Sequence, residues 1–229
     1  MAGHDPTAAP DARLLLSWSG GKDSALALQT LRDRGIEPAG LLTTVTEPDG
    51  AVAHHHVAPG LLRAQAAATG LSLHTVALPD PCPNEVYEAQ LRAALDAPPL
   101  AGVTEIAFGD LHLADVRAYR ETLLEQLGRS ASFPLWGQDT RELAERFVAE
   151  GFSAVVCVVD TQQLDTGFVG RPLDARFLAD LPVGVDPCGE NGEFHSFVTA
   201  GPALAHPIDV AVGRVHTDGR FARAELTLR

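Results

Sequence analysis

The sequence predicts an α/β fold, with a doubly wound, largely parallel sheet and a small C-terminal lobe. Two observations predict this class. Short apolar runs alternate with helical stretches as far as about residue 160, which is typical of βαβ units with helices on both faces of a sheet. From Thr161 onward the alternation fades into glycine- and proline-rich sequence. We therefore expect residues 12–160 to form the α/β domain and residues 161–229 to form the lobe.

The elements follow in order along the chain. Leu14–Leu16 is the first strand and Ala25–Leu31 the first helix. The later strands of the α/β domain are predicted at Ala39–Thr46, Leu71–Leu78, Val103–Phe108, Ser132–Leu135 and Ala154–Val159. The later helices are predicted at Val57–Thr69, Asn84–Leu95 with Asn84 as N-cap, Val116–Leu127 and Thr140–Glu150. In the lobe, Ser196–Thr199 and Val210–Val215 are predicted to be antiparallel strands.

Open parallel sheets bind ligands beyond the carboxyl ends of their strands. The predicted order therefore places Ser19–Ser24, Thr43–Thr46, Gly109–Asp115 and Asp160 along one rim of the sheet. We expect the lobe to fold over that rim.

The composition limits the possible functions. The chain has 229 residues and a net charge of −13. Because the phosphate backbone of a nucleic acid repels negative charge, we do not expect extensive contact with nucleic acid. Its single lysine is Lys22, in a protein that otherwise uses arginine for positive charge. A compact, mobile ammonium group is therefore expected to matter at that position.

Cysteines and the N-terminus indicate a cytoplasmic protein. Cys82, Cys157 and Cys188 are odd in number and lack a Cys-x-x-Cys spacing, which favours neither a disulfide framework nor a zinc site. Met1–Arg13 has no apolar core of a signal peptide, and no stretch has the length of a membrane span.

The most informative segment is Ser17–Ser24, with the sequence Ser-Trp-Ser-Gly-Gly-Lys-Asp-Ser, between the first strand and the first helix. Gly20 and Gly21 allow a tight turn whose backbone N–H groups approach an anion closely, and the helix directs its unpaired N–H groups to the same point. Lys22 adds a cation, and Asp23 a carboxylate for magnesium or for positioning Lys22. The alternative is a simple glycine turn capped by Asp23 or Ser24.

Two common nucleotide motifs do not fit. The P-loop requires four residues between its glycines, and the dinucleotide fingerprint requires Gly-x-Gly-x-x-Gly. The adjacent glycines followed by Lys-Asp-Ser instead resemble the PP-loop of ATP pyrophosphatases, which split ATP between the α and β phosphates.

A second polar segment spans residues 186–196 and combines glycines, carboxylates, an amide, a thiol and an imidazole. A glycine-rich turn entering a strand explains part of this composition, and substrate binding explains the polar density. The candidate substrate-binding residues of this segment are Glu190, Asn191, Glu193 and His195.

Other polar residues carry weaker hypotheses. Asp110 is a candidate for a magnesium ion, a ribose hydroxyl or a turn cap. Arg117 and Arg120 share a helix face, for which a solvated surface is favoured over contact with a phosphate or carboxylate. His54–His56 is a poor metal site, because adjacent loop residues seldom converge on one ion. Cys157 is predicted to be a core thiol.

Taken together, four segments resemble the diphthine–ammonia ligase family, a branch of the PP-loop ATP pyrophosphatases, in what looks like its shorter, bacterial form. The segments are Ser19–Ser24, Gly109-Asp110, Pro134-Leu135-Trp136 and residues 186–195, and the likeness runs from about Leu14 to His195. The resemblance implies an adenine-nucleotide α-hydrolase type of sheet. It also implies an ATP-dependent amidation, in which a carboxylate on a modified histidine of elongation factor 2 becomes an acyl-adenylate and is attacked by ammonia.

The resemblance also implies partners and roles. ATP, Mg²⁺, ammonia and a carboxylate-bearing acceptor, either a protein side chain or a small molecule, would bind. Apart from the resemblance, a homo-oligomer is considered as a partner state, and the lack of an apolar span leads us to expect no membrane partner. Lys22 and Asp23 would be catalytic, with Asp23 as the magnesium ligand, and Asp110 would join the substrate-binding residues. The residues expected to bind ATP are Ser17, Ser19, Gly20, Gly21, Lys22, Asp23, Ser24, Leu42, Thr43 and Gly109. Adenine would lie near residues 42–44.

Two rival functions use the same loop. A sulfur-transferring or tRNA-modifying PP-loop enzyme would need a catalytic cysteine pair and a basic surface, and only Cys188 could serve. An adenine-nucleotide-binding protein or nucleotide hydrolase would share every loop residue without amidation.

Overall fold

The computed structural model describes residues 13–47, 50, 52 and 57–229. Two sheets organise this part of the chain, one of five parallel strands and one of four antiparallel strands. The strands of the parallel sheet are β1 (Arg13–Ser17), β2 (Gly40–Thr46), β3 (Leu73–Leu78), β4 (Val103–Ala107) and β5 (Ser130–Ser132). The helices that alternate with them are α1 (Lys22–Asp33), α2 (Pro59–Thr69), α3 (Asn84–Asp96) and α4 (Ala114–Gln126). The predicted α/β class is confirmed.

The parallel sheet has the order β3-β2-β1-β4-β5, so the winding direction reverses between β1 and β4. Leu16 of β1 pairs with Leu41 of β2 on one side and with Ala107 of β4 on the other. The carboxyl ends of β1 and β4 therefore lie side by side at the topological switch point, where such sheets form their ligand crevice.

Both faces of this sheet are covered, because successive strand residues point to opposite sides. Leu14 and Leu16 belong to one apolar cluster, which also contains the buried apolar residues of α1 and α2. Leu15 belongs to a second cluster, with buried leucines of α3 and α4. The first cluster continues into the antiparallel sheet, so α1 and α2 join the two sheets through one core.

The antiparallel sheet has the order β7-β6-β9-β8. Its strands are β6 (Ser153–Asp160), β7 (Phe194–Ala200), β8 (Val210–Asp218) and β9 (Phe221–Leu228). Two helices belong to this part of the chain, α5 (Thr140–Ala149) and α6 (Ala175–Asp180), together with a 3-10 turn at Thr166–Phe168. The prediction of antiparallel strands in the C-terminal lobe is confirmed.

The predicted placement of one strand is wrong. The run at 154–159 does form a strand, but β6 is antiparallel to β7 and β9 and lies outside the parallel sheet. Five of its eight residues form an unbroken buried run, as in a central parallel strand, so the apolar pattern could not identify its partners. The domain boundary after Asp160 remains a prediction, but the sheets would favour one between Ser132 and Ser153.

Asp160 consequently does not lie on the rim of the parallel sheet. It accepts hydrogen bonds from Arg220 and from Gln163, at 2.8 Å from the Gln163 amide, and thereby ties the end of β6 to the turn before β9. The hydrogen bond from Arg220 lowers the pKa of this carboxyl well below its usual range.

Smaller differences concern element ends. β5 covers Ser130–Ser132 rather than 132–135, because Pro134 has no N–H for the ladder. The residue that precedes α3 as its N-cap is Pro83, and Asn84 is already helical. Helix α6 and strand β9 were not predicted. Among the described helices, none combines the length and apolar character that crossing a membrane requires.

Candidate active site

The glycine turn joins β1 to α1 at the switch point. Gly20 has φ +80°, in the left-handed region, and a Cβ there would lie 2.4 Å from Gln65 Oε1, so only glycine fits. Gly21 is the N-cap of α1 and forms no side-chain cap hydrogen bond. The first turn of α1 therefore begins without an anionic side-chain cap, which leaves its positive end available to a ligand.

The serines of the segment brace this turn. Ser19 Oγ accepts a hydrogen bond from Gly21 N at 3.2 Å, and Ser24 Oγ donates to the Gly21 carbonyl at 2.9 Å. Gly109, at the end of β4, lies against the same turn, because a Cβ there would be 3.0 Å from the Asp23 carbonyl carbon. Glycine at 109 thus lets the β4 end approach α1 closely.

Lys22 is a buried cation paired with its neighbour. Its Nζ lies 2.8 Å and 2.7 Å from the two carboxylate oxygens of Asp23. The Lys22 side chain is 3% exposed, whereas that of Asp23 is 30% exposed. Burial alone would lower the pKa of Lys22, but the Asp23 carboxylate outweighs it and raises this pKa above its ordinary value. Lys22 is therefore positively charged at neutral pH.

These groups open into a cavity of about 450 Å³ between α1, the β4 end and the segment at 186–196. The residues that line it are Ser17, Ser19, Gly21, Lys22, Asp23, Ser24, Phe108, Gly109, Asp110, Leu113, Val116, Arg120, Cys188, Gly189, Glu190, Gly192, Phe194, His195 and Ser196. The two segments that the sequence singled out are far apart in the chain and form opposite walls of one cavity.

The second segment is held by its own carboxylates. Asp186 Oδ1 accepts from Cys188 N at 2.7 Å, and its Oδ2 accepts from Thr140 Oγ1 at 2.8 Å. Glu193 is 2% exposed and accepts from Asp186 N and from Asn191 N, both at 3.0 Å. Asn191 also donates its side-chain amide to Glu193 at 3.1 Å. Asp186 and Glu193 therefore shape the turn from within.

Glu190 connects the two walls. Its Oε1 accepts from the backbone N–H of Leu111 at 2.8 Å, which joins the turn at 186–193 to the segment after β4. Burial raises the pKa of Glu190. Asp110 is paired with Arg120, whose Nε lies 2.9 Å from Asp110 Oδ2. Burial raises the pKa of Asp110, although Arg120 counteracts the shift.

The favoured prediction for the two arginines of α4 is wrong for Arg120, which lines the cavity and lies 4.2 Å over the ring of Phe108. Arg117 is 35% exposed and bonds to Glu121 on the same helix, and it also lies 4.9 Å from the ring of Phe133 and 4.7 Å from that of Trp136. Helical spacing correctly predicts that the two share a face, but it could not show that aromatic side chains from other elements contact that face.

Ten predicted site residues line the cavity: Ser17, Ser19, Gly21, Lys22, Asp23, Ser24, Gly109, Asp110, Glu190 and His195. Five others do not line it: Gly20, Leu42, Thr43, Asn191 and Glu193. Leu42 and Thr43 are buried, and Thr43 Oγ1 donates to the Trp18 carbonyl at 2.6 Å. Their side chains support β1 from β2, so a nucleotide contact there would have to use the backbone.

No role was predicted for two residues that support the site. Gln65 of α2 is fully buried and bonds to Gly20, Val198 and Trp18. Ser196 of β7 accepts a hydrogen bond from Lys22 N at 3.2 Å. The available signal for Gln65 was an amide among the apolar residues of α2. Ser196 is the last residue of the polar segment at 186–196, but it was not among the candidate site residues.

The cysteines and histidines that the structure describes form no metal site. Cys188 is buried, donates to the Thr140 carbonyl at 3.1 Å, and has a pKa that burial raises to about 12. Cys157 is a buried thiol of β6, as predicted. In the described ranges, no group of three or more His, Cys, Asp or Glu side chains could hold a metal ion. His54–His56 lies outside the described residues.

Comparison with known proteins agrees with the resemblance noted above. Residues 139–222 match the model of a family described as the diphthamide synthase C-terminal domain. No curated protein matches the chain. The matched segment begins at the N-cap of α5 and contains β6, β7 and the second wall of the cavity. The C-terminal part of the chain, from the N-cap of α5 to the start of β9, is therefore similar to the diphthamide synthase C-terminal domain.

Proposed function

We propose that this protein is an ATP-dependent amide-forming ligase that adenylates a carboxylate, releases pyrophosphate and transfers ammonia to the acyl group. One observation carries the proposal. A buried, protonated Lys22 and the first turn of α1, which no acidic side chain caps, share a cavity with Glu190, which belongs to the matched C-terminal segment.

The loop side of the cavity suits a polyphosphate. The start of α1 and the Lys22 ammonium lie on one wall, where N–H groups not already bonded, as Lys22 N is to Ser196, and the positive end of the helix would meet an anion. Attack on the α phosphate drives negative charge onto the departing pyrophosphate, which these donors would stabilise as the charge develops. Adenylation solves a chemical difficulty, because hydroxide is a poor leaving group. When the carboxylate oxygen attacks the α phosphorus and pyrophosphate leaves, the resulting mixed anhydride lets ammonia displace AMP from the acyl carbon.

The residues present fit a magnesium ion that arrives with the nucleotide. Mg²⁺ usually uses one or two protein carboxylates together with substrate phosphates and water, so a protein-only cluster is not needed. Asp23 lines the cavity beside the loop and is 30% exposed, so a carboxylate oxygen can accept a further ligand. When bound, the ion would add positive charge to the phosphates.

The other wall suits the acceptor and the nitrogen source. Glu190 presents a carboxylate held by Leu111 N, which could attract ammonium and receive its proton. Phe108, Leu113 and Val116 offer an apolar surface for an uncharged part of a ligand. Cys188 gives no support to the sulfur-transfer alternative, because a thiol with a pKa of about 12 is a poor nucleophile at neutral pH.

The nucleotide product tests the proposal. Purified protein would be incubated with ATP, Mg²⁺, ammonium and elongation factor 2 that carries diphthine, and the nucleotides would be separated by ion-exchange chromatography. We expect AMP and pyrophosphate in amounts that depend on both ammonium and the factor. ADP as the product would contradict the proposal. AMP formed at the same rate without ammonium or the factor would instead support a nucleotide hydrolase.

A further inference from the structure

The strongest unassigned feature near the cavity is the side chain of Gln65. It is 0% exposed, on a helix whose other buried side chains include Leu61, Leu62 and Ala66. A buried amide is costly unless its polar atoms are paired. Here Nε2 donates to the Gly20 carbonyl at 2.9 Å and to the Val198 carbonyl at 2.7 Å, while Oε1 accepts from Trp18 Nε1 at 3.1 Å.

The same carbonyl of Gly20 has a second partner. It accepts from Val198 N of β7 at 2.9 Å, so Gln65 and β7 hold one peptide group between them. In a trans peptide the C=O and the following N–H point in opposite directions. Holding the Gly20 carbonyl on the β7 side therefore directs Gly21 N away from β7, to the side where Ser19 Oγ receives it.

We propose that Gln65 is a positioning residue that sets the phosphate-binding conformation of the glycine turn by fixing the Gly20 peptide to β7. The proposal rests on the function proposed above. It explains why an amide lies in an apolar helix face: its nitrogen donates to carbonyls of two different elements at once, which no apolar side chain of similar size can do. It also makes β7, part of the matched C-terminal domain, a support of the nucleotide loop.

Nucleotide binding tests this role against simple destabilisation. The test variant is Gln65→Met, which keeps an unbranched side chain of similar length and removes the amide. The control is Leu95→Ala, a truncation in the second apolar cluster, which does not line the cavity. Isothermal titration with Mg-ATP should show Kd raised about tenfold or more by Gln65→Met, because two buried carbonyls lose a donor and the turn relaxes.

Leu95→Ala should leave this Kd within about twofold of the wild type even though it lowers the thermal midpoint. Binding by Gln65→Met within the same range as the wild type would overturn the proposal. In the assay of AMP formation, Gln65→Met should raise KM for ATP more than it lowers kcat. A general loss of folded protein would instead lower the apparent kcat and leave KM unchanged.

Hydrogen exchange of the wild-type protein supplies a test that needs neither ATP nor a folded variant. If Gln65 holds the turn to β7, Val198 N–H and the indole N–H of Trp18 should exchange only through global unfolding. Fast exchange of both through local opening would overturn the positioning role. If the wild type binds no ATP, the proposed function fails and this exchange measurement alone decides whether Gln65 holds the turn.

Discussion

The two glycine-containing segments that form the cavity are built in different ways. The turn at Ser19–Ser24 combines the hydrogen bonds of its own serines with support from distant elements, from Gln65, Ser196 and Val198. The turn at 186–193 is held mainly by its own carboxylates, because Asp186 and Glu193 accept hydrogen bonds from its backbone, with Thr140 as a partner from outside.

Because of this difference, we expect the first turn to serve ligand binding and the carboxylates of the second turn to serve stability. Acidic side chains accept hydrogen bonds from four N–H groups of the second turn, those of Asp186, Cys188, Glu190 and Asn191, so much of its polar density serves its own shape. Side-chain anions do not cap α1, so its positive end is available to a ligand. We therefore expect substitutions in the first turn to affect activity mainly, and substitutions of the inward carboxylates of the second turn to affect stability mainly.

The largest expected effect is on activity, in Lys22→Ala. Removing the buried cation should lower the rate of AMP formation by roughly 10²–10³-fold, since a charged donor to the departing pyrophosphate is lost. The thermal midpoint should change little, because Asp23 is 30% exposed and water can solvate it. Arg63→Ala, which removes an exposed cation from α2, is the matched control and should keep the wild-type rate. A Lys22→Ala enzyme of normal rate would break the comparison.

The next effect is on stability, in Glu193→Ala. The substitution leaves Asp186 N, Asn191 N and the Asn191 amide without their acceptor, and we expect a loss of about 2–4 kcal/mol in the free energy of unfolding. Urea unfolding would measure it. Glu145→Ala, at an exposed position of α5, should cost about 0.5 kcal/mol or less. Equal losses for the two variants would show that the second turn is not self-supporting.

The smallest effect concerns Asp160, which lies outside both turns. Its hydrogen bonds from Arg220 and Gln163 lower its pKa in the folded state, so the charged carboxylate stabilises the fold above the unfolded pKa of about 4. That contribution should be lost as the pH falls below this value. The difference in unfolding free energy between wild type and Asp160→Asn should therefore be constant near neutrality and shrink by pH 3 in urea titrations. A difference independent of pH would contradict the assignment.

Local sequence patterns predict the strands of the parallel sheet well, but they do not predict which strands pair with one another. The strands at 39–46, 71–78 and 103–108 were predicted to within two residues, because each is a short apolar run bounded by turn residues. β6 has the same local pattern but joins the other sheet, since an apolar run specifies burial and not which strand lies beside it. Asp160 was misplaced for that reason alone.

For the candidate site, sequence motifs identified the two walls but not their support. Lys22, Asp23 and Glu190 follow from spacing and residue type, and all three line one cavity. Gln65 and Arg120 contact residues of other elements, Val198 and Phe108. Neither helical periodicity nor composition can predict such contacts.

By itself, the sequence determined that a strand, a glycine turn and a helix with one lysine would form an anion site, because backbone geometry and residue type act over a few neighbouring residues. Only the tertiary structure decided which elements hold that turn and what faces it. Gln65 and Ser196 reach the turn from 45 and 174 residues away, and their hydrogen bonds exist only once both sheets have packed against α1 and α2.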